Sequence, residues 1–241
     1  MTEPLQDQRA RGIRDMFQGI SERYDLMNRL MTFGQDQAWR RYAVEMAALP
    51  PGGRLLDVGA GTGSLAIEAL GNDPALRVTA ADFTYQMMIV GRTRHGAKGI
   101  SWCCADALHL PFPDATFDAV TSAYLLRNVG LPEQAFGEQV RVVRPGGRVV
   151  CLDTSPPPRH MLRPLVLAYL RFGIPLLGHF ITGHRAAYQY LPASTKAFMG
   201  PEAMISIMAR TGLQDVDYKR FMLGTQVVAY GTRPSKLSTI D

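Results

Sequence analysis

Between residues 54 and 153 the chain alternates short apolar runs with stretches of helical period. The runs Arg54 to Val58, Arg77 to Ala81, Ile100 to Ala105, Ala119 to Tyr124 and Arg148 to Asp153 read as buried parallel strands. Helices are predicted after Gly63, where Leu65, Ala66, Ala69 and Leu70 share a face, and over Gln86 to His95 and Glu133 to Val143. RPGG at 144–147 reads as a hairpin-like break before the fifth strand. The links are short, which predicts a parallel sheet with helices on both faces. Ahead of this unit, residues 9–32 carry one helical repeat (Ile13, Met16, Phe17, Ile20, Tyr24, Leu26, Met27, Leu30, Met31), and Gln35 to Leu49 carries a second. Gly34 separates the two, and PPGG at 50–53 ends the cap.

After residue 155 the pattern changes. Met161 to Ile181 is strongly apolar, but Arg163, Arg171, Pro164 and Pro175 interrupt it. Its unbroken stretches fall short of the roughly 18 residues a membrane span needs, so it reads as an amphipathic lid. Residues 178–198 follow as loop and helix, and Pro201 to Thr211 as a helix stopped by Gly212. Val216 to Phe221 and Thr225 to Gly231 close the chain as an antiparallel edge, with Gly224 at the turn. The expected organisation is one α/β domain over 1–241: a helical cap (1–50), a core (51–155), a lid (156–200) and a closing helix and strands (201–233).

The bulk numbers are those of a globular protein, 46% hydrophobic and 20% charged. A net charge of +5 suits either an anionic membrane surface or scattered solvated charge. No dense Lys/Arg cluster with interleaved aromatics is present, which argues against nucleic acid as a partner. Cys103, Cys104 and Cys151 are odd in number and two are adjacent, so neither a disulfide framework nor a metal site is expected. The polar start MTEPLQDQRARG carries no apolar signal region, and a cytoplasmic location is expected.

Chemistry concentrates in RLLDVGAGTGS at 54–64, a strand, a glycine turn and a helix start. Asp82, at the end of the second strand, is placed to accept hydrogen bonds from ribose hydroxyls. The spacing is G-x-G-x-G rather than the G-x-G-x-x-G that seats a pyrophosphate. Asp57 before the turn would repel a pyrophosphate and suit an ammonium or sulfonium group, both of which S-adenosyl-L-methionine carries. Asp106 follows the third strand as Asp82 follows the second; it is either an adenine partner or a loop or cap aspartate.

Several blocks now resemble the UbiE/MenG/Coq5 C-methyltransferases of quinone biosynthesis, a branch of the class I S-adenosylmethionine-dependent methyltransferases. They are MFQGISERYDLMNRLMTFGQDQAWRR (16–41), LLDVGAGTG (55–63), DALHLPFPDATFDAVTSAYLLRNV (106–129), VRVVRPGGRVV (140–150) and AYQYLPASTKAF (187–198). The resemblance implies a Rossmann-like fold with a mostly parallel seven-stranded sheet. It implies a cofactor site at Asp57, Gly59, Gly61, Thr62, Gly63, Asp82 and Asp106, with Ala60, Phe83 and Ala107 beside them. It implies acceptor-side positions at Tyr24, Arg127, Asn128, Tyr188 and Ser194, of which Arg127, Asn128 and Tyr188 are the catalytic candidates, and no metal. The chain departs from the family pattern at Ser64, where an acid is usual, at Gly183-His184, and at Asp153-Thr154-Ser155. These leave open which quinone is methylated, and whether another small aromatic or isoprenoid acceptor replaces it.

The implied reaction is methylation of a quinol ring carbon. Arg127 would favour the phenolate, while His160, His184 and Asp153 are proton acceptors by residue type alone. A prenylated quinol would give the 161–181 stretch a purpose, as an apolar mouth docking peripherally at the membrane's inner face with Arg159, Arg163 and Arg171 near lipid phosphates. A buried lid or a homodimer face is the alternative.

Overall fold

The computed structural model describes residues 5–182, 194–195 and 198–235. Five apolar runs form the parallel strands β1 (Arg54–Val58), β2 (Arg77–Asp82), β3 (Ser101–Cys104), β4 (Phe117–Ala123) and β5 (Val143–Thr154). Two more, β6 (Gln214–Phe221) and β7 (Gln226–Thr232), complete a seven-stranded sheet in the order β3-β2-β1-β4-β5-β7-β6. The first two βα units wind one way from β1 and the later ones the other, so the strand order reverses between β1 and β4. That reversal opens a crevice at the carboxyl ends of the strands.

Alternation along each strand divides the core. Leu55 faces one side with Trp39, Leu65, Val78, Val150 and Val228, under α3 (Asp36–Met46) and α4 (Ser64–Asn72). Leu56 faces the other with Phe117, Val120, Phe136, Met204 and Met208, under α6 (Pro132–Val142) and α9 (Pro201–Arg210). α5 (Tyr85–Arg92) follows β2.

Two expectations are corrected. The 9–32 repeat is not one helix: α1 (Leu5–Ile20) and α2 (Tyr24–Met31) are separated by a 3₁₀ turn over Ser21–Arg23, where Ser21 Oγ donates to the Gln18 carbonyl at 3.1 Å. The break lets Ile13 and Phe17 face the crevice while Met27 and Met31 join Ile20 in a separate cluster. RPGG does not precede the fifth strand but lies within β5. Val143 pairs with Phe117 and Arg148 with Ala119, so residues 144–147 bulge between them. The bulge is held by Asp118, whose carboxylate pairs with Arg144 and accepts from the Arg54 N–H at 2.6 Å. The two closing strands form the antiparallel edge as expected, with β7 between β5 and β6 and β6 outermost.

The apolar stretch after β5 forms α7 (Arg163–Ala168), a π-helical turn over Tyr169–Gly173 and α8 (Ile174–Thr182). It packs on the cap: Ile174 buries against Ile20, Met27 and Met31, and the Tyr169 hydroxyl donates to the Met31 carbonyl at 2.8 Å. Its other face leaves Met161, Leu165, Phe172 and Leu176 exposed, Met161 by 96%. Among the described residues, no helix is long and apolar enough to cross a membrane.

Candidate active site

The glycine turn after β1 is set by backbone conformation. Gly59, Gly61 and Gly63 have φ of 67°, 57° and 78°, the left-handed region where a Cβ is disfavoured. Side-chain crowding reinforces this at two of them, since a Cβ on Gly59 would lie 2.9 Å from Leu125 and one on Gly63 2.7 Å from the Trp102 ring. Gly63 is therefore a packing position under α4, while Gly59 and Gly61 face the crevice.

That crevice holds about 540 Å³, within the roughly 300–1,000 Å³ of small-molecule sites. Of the ten cofactor positions implied by the sequence, Gly59, Gly61, Asp82, Phe83, Asp106 and Ala107 line it. Asp82 accepts from the Gly61 N–H at 2.7 Å and the Thr84 N–H at 2.6 Å, one on each oxygen. Each oxygen keeps a second lone pair for a ligand hydroxyl. Asp106 lies in a tight turn, accepting from the Leu108 N–H at 2.9 Å, and its carboxylate stays half exposed at the rim. Phe83 offers an exposed ring with the Arg14 guanidinium 5.0 Å from its centroid.

Asp57, Ala60, Thr62 and Gly63 sit behind this surface. Asp57, 1% exposed, accepts from Thr121 Oγ1 at 3.0 Å, and burial pushes its carboxyl up to about 7 despite that bond. It braces the turn from below. Thr62 Oγ1 and Ser64 Oγ donate to Asp25 Oδ1 at 2.9 and 3.1 Å, and Arg94 Nη1 reaches Asp25, Thr62 and Ser64 together. The cap is thereby tied to the glycine turn through the RYD segment. Ser64, the departure from the family pattern, makes this contact; an acid there would face Asp25.

On the acceptor side, Tyr24 and Asn128 line the same crevice. The Asn128 amide nitrogen donates to the Tyr124 carbonyl at 2.8 Å, fixing the turn after β4. Arg127 points the other way, into a chamber of about 50 Å³ beneath α2 and the 163–182 helices, at the carboxyl ends of β4 and β5. There it pairs with Asp153 at 3.3 Å, the two side chains 6% and 0% exposed. Burial raises the Asp153 carboxyl, with Arg127 acting against it. Burial also pushes the Tyr24 and Tyr124 hydroxyls up, again opposed by Arg127, so both remain hydrogen-bond donors at neutral pH. Ser194 is described and half buried; Tyr188 and His184 lie outside the described residues. The His160 ring contacts the Leu223 carbonyl at 3.2 Å and lines neither space.

Sequence reasoning missed Tyr124, which lines both the crevice and the chamber. It closes an ordinary apolar strand, and its distinguishing feature, a φ of 56°, is a property of the backbone. Thr84 and Met87 were missed too, as they belong to no motif, and Leu125 was missed although it lies within the 106–129 block.

Comparison with known proteins agrees with this geometry. Residues 3–233 match the model of the ubiE/COQ5 methyltransferase family. The ubiquinone/menaquinone biosynthesis C-methyltransferase UbiE of Desulfotalea psychrophila is 46% identical over 92% of this chain and 90% of its own length. The demethylmenaquinone methyltransferase of Thermus thermophilus is 42% identical over 91% of this chain and all of its own length. Among solved structures, a SAM-dependent methyltransferase of Thermotoga maritima superimposes with a TM-score of 0.61 at 19% identity, covering 91% of this chain and 99% of its own. The chain belongs to the ubiE/COQ5 methyltransferase family and has the class I methyltransferase fold.

Proposed function

We propose that this methyltransferase transfers a methyl group from S-adenosyl-L-methionine to a ring carbon of a prenylated quinol. The observation that carries the reading is the adjacency of two unlike spaces at the switch point of the sheet. The crevice, with Asp82 and Phe83 on its wall, fits a nucleoside; the neighbouring chamber, with buried Arg127, fits a phenolic oxygen. The relatives from D. psychrophila and T. thermophilus, named as quinone-biosynthesis methyltransferases, support the quinone assignment.

The fit to the cofactor rests on the chain's own groups. Asp82 would accept from the ribose hydroxyls, the Phe83 ring and Ala107 would flank the base, and Asp106 at the rim would take its amino group. Asp57 would act beneath the turn by bracing it rather than by contact with the cofactor. When bound, the cofactor supplies an electrophilic methyl on a sulfonium.

A phenol ionises near pH 10 in water. Arg127 would favour the phenolate by its positive charge, since a cation within roughly 4–6 Å stabilises the ionised form, and the ring carbon then becomes the nucleophile. Arginine stays protonated, so it would act as an electrostatic partner and not as a base. Tyr24 and Asn128 would hold the ring between crevice and chamber. Such alignment supplies on the order of 7–11 kcal/mol in well-oriented systems. The exposed apolar face of Met161, Leu165 and Phe172, with Arg159, Arg163 and Arg171 nearby, would seat on an anionic membrane surface and admit the prenyl tail.

The test is methyl transfer from labelled S-adenosyl-L-methionine to reduced demethylmenaquinol, with a prenylated demethyl-benzoquinol in parallel. Label on either ring supports the reading and names the quinol. Tight cofactor binding with transfer to neither overturns it.

A further inference from the structure

The chamber beneath the cap contains a polar lining that no described residue satisfies. Asn28 Nδ2, Arg127 Nε, Thr154 Oγ1 and Gln226 Oε1 are buried and have no hydrogen-bond partner among the described residues. All four residues line this one space, although they come from α2, the turn after β4, the end of β5 and the start of β7. Buried polar atoms are nearly always paired in native proteins, and each one left unpaired carries a penalty. Four converging on one cavity describe a site for a small polar group. At about 50 Å³ the chamber takes roughly three waters at about 15 Å³ each, or one oxygen with the edge of the ring that bears it.

The polarity is mixed in an informative way. Asn28 Nδ2 and Arg127 Nε only donate, Gln226 Oε1 only accepts, and the Thr154 hydroxyl does either. A carbonyl oxygen can accept from Asn28 and Arg127 but leaves Gln226 without a donor. The hydroxyl of the bound quinol, before it ionises, accepts from Arg127 and donates to Gln226 at once. Tyr124, shared by both spaces, places the chamber directly beside the cofactor crevice.

We propose that this chamber binds one ring oxygen of the acceptor, and that Thr154 and Gln226 are specificity-determining residues that read this oxygen as a hydroxyl, selecting the reduced quinol over the oxidised quinone. The inference rests on the quinol reading above and adds the residues that sense the redox state of the ring. It gives a physical reason for the Thr154 departure from the family pattern, since a hydroxyl at the end of β5 contributes to the oxygen site. Discrimination of roughly 10- to 100-fold between quinol and quinone is expected from one unsatisfied buried acceptor.

The experiment uses the full chain under anaerobic conditions. The KM for the prenylated quinol and the inhibition constant of the matching quinone are measured for wild type, Gln226→Leu, Thr154→Val and Thr154→Ser, with cofactor affinity by calorimetry. Gln226→Leu is expected to lower the ratio of quinone inhibition constant to quinol KM about tenfold. Thr154→Val is expected to raise quinol KM several-fold, with Thr154→Ser restoring it, and all variants to bind cofactor within twofold of wild type. A ratio and KM unchanged in folded variants of an active enzyme overturn this proposal alone, and leave the chamber as a structural water site. Wild type that binds cofactor but methylates no prenylated quinol overturns the quinol reading and this inference with it.

Discussion

Arg127 and Asp153 form an ion pair of 3.3 Å that is almost wholly withdrawn from solvent, and they come from the ends of two adjacent parallel strands. Asp153 also accepts from the Thr154 N–H at 2.7 Å, so the carboxylate anchors both the pair and the end of β5. Removing one partner leaves the other as a buried, uncompensated charge. Asp153→Ala is expected to destabilise the fold by about 3–5 kcal/mol in urea unfolding. The double replacement Arg127→Met with Asp153→Leu is expected to recover most of that stability while methyl transfer stays lost. A double variant that is both stable and active would show that the pair serves folding only.

The Asp57 carboxyl sits at about 7 in the folded chain against about 3.9 in an unfolded one. Between these values the folded state holds a proton that the unfolded state has released, so stability is greatest below pH 4 as far as this group is concerned. It is lost as the pH rises towards 7, with a slope of up to about 1.4 kcal/mol per pH unit. Asp82 and Asp153 are shifted in the same direction and add to the slope. Asp57→Asn is therefore expected to flatten the decline in unfolding free energy between pH 5 and 7.5, without abolishing it. Parallel wild-type and variant profiles would refute the assignment.

Gly91 on α5 packs its bare Cα against Trp102 of β3, and a Cβ there would also lie 3.0 Å from the Thr62 carbonyl of the glycine turn. Overpacking of this kind typically costs about 1–3 kcal/mol. Gly91→Ala is expected to fall in that range by urea unfolding and to weaken cofactor affinity, because the turn must shift. Adding Trp102→Leu should relieve the clash, giving a coupling energy of opposite sign in a double-mutant cycle. Simple additivity of the two would place the strain elsewhere.

The exposed apolar face after β5 tests the membrane part of the functional reading. Replacing Met161, Leu165 and Phe172 by serine is expected to leave stability near wild type, because these side chains already face solvent. The same change should cut co-sedimentation with phosphatidylglycerol vesicles several-fold. Arg163→Glu with Arg171→Glu should do likewise and remove the salt dependence, at about 1 kcal/mol per charge. Wild type that ignores such vesicles at low salt sinks the membrane contact and favours a partner copy on this face.

What the sequence alone determined is the local grammar of the chain. A five-residue apolar run, three alternating glycines and a helical repeat specify strand, turn and helix because each depends on neighbours a few residues away. The placement of Asp82 and Asp106 at strand ends was legible for the same reason, since a parallel strand delivers its last residue to one edge of the sheet. The motif blocks, which resemble one family throughout, carried the rest of that reading.

What only the tertiary structure decided are the relations between residues far apart in the chain. Asp57 reads as a ligand position in the chain, but its burial beneath the turn and its bond from Thr121 on the neighbouring strand are set across the sheet. The 9–32 repeat looked like one helix, yet it breaks so that Ile13, Phe17 and Tyr24 reach the crevice while Ile20, Met27 and Met31 pack on the 163–182 helices, and no local period records that division. RPGG looked like a break and is a bulge, held by an aspartate on the adjacent strand. The chamber formed by Arg127, Thr154 and Gln226 spans three strand ends that meet only when β7 inserts between β5 and β6. Its polarity is a product of that insertion, while the glycine turn and the aspartate at the end of β2 were already written in the chain.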